Sequence, residues 1–126
     1  MDNKYTQFTE ALMELPVKIK DLQLSILDKT AEQTHLTNEI AKLEAKIKTE
    51  INAAVDAAGK KLFTNAEMRA AELVERVEAD LEISSIKQQH EDLSNNISIS
   101  KIDLECLNNI QRNTRLLLEF FSNINK

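Results

Sequence analysis

Turn-forming residues are nearly missing from this chain. One glycine, one proline and no tryptophan occur in 126 residues, and only 4% of the residues are aromatic. A sheet protein needs far more turn chemistry, so the composition excludes one and fits a few long helices in a single domain. The lone Cys106 rules out an intrachain disulfide and fits a reducing cytoplasm. No stretch approaches the ~18 apolar residues of a membrane span. The start carries Asp2, Lys4, Glu10 and Glu14 rather than the apolar run of a signal peptide. The net charge is −5, shared as −1 over residues 1–63 (9 basic, 10 acidic) and −4 over residues 64–126 (7 basic, 11 acidic). That balance argues against a nucleic-acid binder.

What turn chemistry exists is concentrated between Gly59 and Met68. Gly59 suits the left-handed residue that closes a helix, and Lys60 and Lys61 complement the negative helix end. Thr64 and Glu67 stand in the spacing of a capping box, with Phe63 and Met68 at the positions of a hydrophobic staple. The expectation is a helix over about 4–58, a turn over 59–64 and a helix over about 65–124. So short a linker predicts an antiparallel hairpin. Pro16 is expected to kink the first helix without ending it, since Leu15 is a poor N-cap.

From Leu12 the first helix carries heptads. Leu12, Ile19, Ile26, Gln33, Ile40, Ile47 and Ala54 stand at one seam position, and Leu15, Leu22, Lys29, Leu36, Leu43 and Glu50 at the other. Ten of these thirteen are apolar, the pattern of a coiled coil. Val17, Leu24, Leu27 and Ala31 form a second stripe on another face. The C-terminal half is two-striped as well: Ile86, His90, Leu93, Ile97, Leu104 and Leu107 on one face, Ile99, Ile102, Cys106, Ile110, Leu117 and Ile124 on the other. A helix with two apolar faces usually touches two partners. Asp80 to Ser85 is the weakest part of the second helix, with room for a bend that the sequence does not decide, and Ser85 and Gln88 stand in the spacing of another capping box.

A straight hairpin turning near residue 62 sets Lys29 and Gln33 beside Asp92, Asn95 and Asn96, a polar layer that would fix register. It sets Glu50 near Arg76. It also gathers Tyr5 and Phe8 with Phe120 and Phe121 at the open end. Apolar residues there exceed what two helices can cover, which predicts a homodimer closing into a four-helix bundle. Its interface would comprise Phe8, Leu12, Leu24, Leu27, Ile110, Leu117, Phe120, Phe121 and Ile124. The single-striped halves near Phe63 would then project as free arms.

Enzyme chemistry finds little support. Gly59-Lys60-Lys61 has too few glycines for a phosphate loop. His35 and His90 fall opposite each other in the hairpin, with Glu39 and Glu91 nearby, but without the tight spacing of a metal site. Cys106 has no histidine near it in the hairpin and reads as a small apolar residue. No catalytic group, metal, cofactor or small-molecule substrate is therefore expected. The acidic run Glu67 to Asp92 reads as a solvated face, or as a docking surface for a basic partner.

The segment Asp56-Ala-Ala-Gly-Lys-Lys-Leu-Phe-Thr-Asn-Ala-Glu-Met-Arg69 resembles the hairpin junction of small uncharacterised helical coiled-coil proteins of bacteria and phages. These carry a similar Gly-Lys-x-Leu-Phe/Tyr-Ser/Thr-Asn turn followed by a basic residue. The resemblance spans about 15 of the 126 residues. It implies a helical hairpin of bacterial or phage origin and carries over no activity.

Together these readings predict a cytoplasmic, all-α, non-enzymatic protein. It would pair with itself and present a surface to another protein, as an adaptor, chaperone or assembly factor does. The alternative is a nucleic-acid-associated accessory protein of a phage or mobile element.

Overall fold

A computed structural model describes residues 3–124, apart from the Tyr5 side chain. Asp2 and the aromatic ring of Tyr5 lie outside the described residues. Three helices follow one another: α1 (Asn3–Ala53), α2 (Ala66–Ala79) and α3 (Leu81–Ile124). The described chain is all-helical and hairpin-like, with no strand beyond an isolated antiparallel bridge between Val55 and Lys61. Pro16 lies inside α1, which continues through it. The helix there forgoes one backbone bond, a loss that the many flanking turns can absorb.

The first helix ends five residues sooner than expected. The cause is Asp56. Its Oδ1 accepts from the amides of both Ala58 and Lys60, at 2.9 Å each. Those amides would otherwise point at carbonyls four residues back, so the carboxylate competes with the helix and wins. The Asp56 amide donates to the Lys60 carbonyl at 2.7 Å and the Leu62 amide to Ala54 at 3.0 Å, closing a tight loop. Gly59 is indeed left-handed, at φ 82°, but it serves this loop and not a helix terminus.

The cap of α2 is also one residue later than expected. Asn65, not Thr64, accepts from the Met68 amide, at 2.8 Å. Asparagine caps at least as well as threonine, so the later start prevails. The Thr64 hydroxyl turns instead to the Met68 sulfur at 3.7 Å. The staple of Phe63 on Met68 gives way with it. Met68 is exposed, while Phe63 turns inward, and Arg76 sits over its ring, 5.8 Å from the centroid. Arg76 pairs with Glu72 at 2.7 Å, not with Glu50.

The expected second helix is two helices. Asp80 interrupts it with extended backbone, and its Oδ1 accepts from the Ile83 amide at 2.9 Å. A carboxylate that caps so well starts a new helix rather than continuing the old one. Ser85 and Gln88 lie within α3 and mark no boundary.

By contacts the described chain divides into two compact units. One runs up to Thr30 and resumes at Asn95; the other is Ala31–Ser94. The second unit holds the best-packed core. Ile47, Ile51 and Ile83 are buried together, and Ile40, Leu43, Phe63, Leu73 and Val77 pack on them. Leu73 and Val77 come from α2 and Ile83 from α3, so all three helices contribute to one cluster.

In the unit of the chain ends, α1 and α3 run antiparallel. Leu15 and Ile19 are buried on α1, and Ile97, Ser100 and Thr114 on α3. Phe8 stacks on Phe121 with ring centroids 5.8 Å apart, and Phe120 meets Phe121 edge-on at 6.0 Å.

Candidate interaction surface

The polar residues of the seams come first, because they show which faces of α1 and α3 are already used. Lys29 is half-buried and its ammonium donates to Ser100 Oγ at 3.5 Å. Gln33, also half-buried, donates through Nε2 to Ser94 Oγ. Asp92, Asn95 and Asn96 are exposed and take no part in this layer; Asp92 instead accepts from Gln88 Nε2 at 3.0 Å. The partners lie two to four residues further along α3 than a straight hairpin gives. The displacement accompanies the interruption at Asp80, which divides the second arm into α2 and α3.

With those seams assigned, the remaining apolar residues stand out. Met13, Val17, Leu24 and Leu27 are exposed on α1. Ile99, Ile102, Ile110, Leu116, Leu117, Phe120 and Ile124 are exposed on α3, and the free thiol of Cys106 with them. Met13 is 74% and Ile102 65% accessible, far more than an apolar side chain needs to be if it only fills a gap in a core. Such residues scattered singly would mean little. Here they recur mostly at three-, four- and seven-residue steps and so share one face of each helix.

The two stripes point in different directions. At 100° per residue, the α1 stripe lies roughly opposite the buried line through Leu15, Ile19, Leu22 and Ile26. The α3 stripe lies about 150° from its own buried line through Ile97, Ser100, Leu104 and Leu107. One flat partner face cannot take both.

This divides the expected interface. Phe8, Leu12 and Phe121 are half-buried along the α1–α3 seam. Leu24 and Leu27 stand on the outer face of α1, and Ile110, Leu117, Phe120 and Ile124 on the outer face of α3. The sequence reading missed Met13, which continues the Val17–Leu24–Leu27 spacing one step toward the N-terminus.

Other features are accounted for by packing. His35 pairs with Glu39 at 3.1 Å on the surface, and His90 borders a shallow groove with Thr37, Ile40 and Lys87. Among the described residues no three His, Cys, Asp or Glu side chains gather as a metal site would require. A groove of about 350 Å³ lies between the end of α1 and α2, lined by Lys48, Ile51, Arg69, Ala70 and Leu73 among others. Arg69 is engaged with the Phe63 carbonyl at 3.3 Å. No helix among the described residues is long and apolar enough to cross a membrane. No protein-family model matches the chain, and neither a curated protein nor a solved structure matches it.

Proposed function

We propose that this protein is a non-enzymatic structural or protein-interaction module that works as a homodimer. The unit formed by the chain ends dimerises into a four-helix bundle, and the apolar face left over receives another protein. The roles open to it are those of an adaptor, chaperone or assembly factor in the cytoplasm, where the exposed Cys106 thiol stays reduced. The observation that carries this reading is the pair of apolar stripes on α1 and α3 that stay exposed among the described residues. A partly exposed Ile or Leu gains on the order of 1 kcal/mol when its remaining surface is covered, so several together are enough to drive association.

Sedimentation equilibrium tests it. A species of twice the chain mass at micromolar concentration is expected. Ile110→Asp with Leu117→Asp is expected to return it to the monomer with its helical content intact. A monomer for the unaltered chain overturns the proposal.

A further inference from the structure

The α3 stripe has an internal order that goes beyond its being apolar. Ile99, Cys106, Asn113 and Phe120 recur every seven residues, and Asp103, Ile110, Leu117 and Ile124 do the same, four residues out of step. These are the two seam positions of a second heptad, on a side of α3 turned away from α1. All eight are exposed. Beside the seam runs a shoulder of Ile102, Asn109 and Leu116, and outside that stand Glu105 and Arg112, opposite charges seven residues apart. The Arg112 guanidinium donates to Asn109 Oδ1 at 3.1 Å, which lays it along this shoulder.

We propose that a second copy of this chain packs its own α3 antiparallel on this stripe, across a two-fold axis beside Asn108 and Asn109. The inference rests on the self-association proposed above and names the surface and orientation. In this register Ile99 meets Leu117 of the other copy, Cys106 meets Ile110, and Ile102 meets Leu116. The two polar seam positions meet each other, so that the Asn113 amide can donate to the Asp103 carboxylate. Glu105 comes level with Arg112, and the symmetry repeats every pair. A parallel arrangement sets Asp103 against Asp103 and Asn113 against Asn113, and brings Glu105 level with Glu105. Like charges facing across a seam disfavour it. The exposed apolar side chains of the stripe amount to roughly 600 Å² per copy, which the polar shoulders bring near the ~800 Å² that each partner buries in a standard interface. The α1 stripe stays outside this contact.

Two measurements test the arrangement. Spin labels at Ser122→Cys in a Cys106→Ser background are expected about 40 Å apart, because the two positions lie some 27 residues apart along the paired helices at ~1.5 Å each. A parallel pair brings them within about 25 Å, by helix diameters alone, and that result overturns the proposal. Asn113→Asp sets two carboxylates against each other in this register and is expected to raise the dimer dissociation constant about tenfold, and adding Asp103→Asn is expected to recover most of it. Asn113→Asp as tight as the unaltered chain, or no recovery in the double variant, overturns the α3 contact while leaving self-association standing. A monomeric unaltered chain removes both.

Discussion

Ile83→Ala probes the core of the Ala31–Ser94 unit most directly. Ile83 is fully buried at 0% exposure against Ile47 and Ile51, the latter 1% exposed. The substitution removes three carbons, worth about 2.4 kcal/mol at ~0.8 kcal/mol per buried CH₂. The cavity they leave adds about 1 kcal/mol, because the surrounding helices relax only partly into it. The expected loss is therefore about 3–4 kcal/mol, within the range for large-to-small substitutions in cores. Urea denaturation followed by circular dichroism at 222 nm measures it, at fixed protein concentration so that association does not confound the midpoint. Leu81→Ala, two residues away, is the internal control. Leu81 is 85% exposed and its truncation is expected to change stability by less than about 0.5 kcal/mol. If Ile83→Ala costs no more than Leu81→Ala, the convergence of α2 and α3 on α1 is wrong.

Asp80→Ala is expected to cost about 1 kcal/mol by removing the α3 cap, while Asp80→Asn, which keeps the acceptor, is expected to cost a few tenths; thermal melts compare the two. At Gly59 an added Cβ meets no atom within 4 Å, so only backbone strain opposes substitution. Gly59→Ala is expected to cost about 1 kcal/mol and Gly59→Asn less, read by the same melts, because asparagine tolerates the left-handed region. Lys29→Leu with Gln33→Leu is expected to raise the melting temperature and to loosen the choice of oligomer, seen as mixed species in sedimentation velocity. A lower melting temperature with a single species shows that these side chains stabilise the seam through Ser100 and Ser94.

The helices were legible because their signal is repeated many times. Leu15, Ile19, Leu36 and Ile47 each stand on the heptad and each is buried. The left-handed Gly59 was legible from its chemistry alone. The boundaries were harder to read because single polar side chains decide them. Asp56, Asn65 and Asp80 each offer one oxygen to backbone amides, and nothing in hydrophobic periodicity marks which aspartate or asparagine will do so. Asp56 sits in an alanine-rich stretch whose helix propensity points the other way. The partners of Lys29 and Gln33 were missed for a related reason. Register was counted from an uninterrupted second arm, and the interruption at Asp80 displaces every pairing beyond it. On the candidate surface the stripes were readable as spacing, but their directions relative to the buried seams needed the seams to be known.

The pairing of Phe8 with Phe121 spans 113 residues of chain, whereas Gln33 and Ser94 are 61 apart. Contacts so distant in sequence close late, since the loop must be paid for in entropy before they return anything. During synthesis at about 5–20 residues per second, the first turns of α1 wait on the order of ten seconds for the segment that covers their inner face. Throughout that interval they display apolar side chains on two sides. Neighbouring nascent chains on one messenger carry the same segment at high local concentration, so assembly and aggregation compete there before any chain is complete.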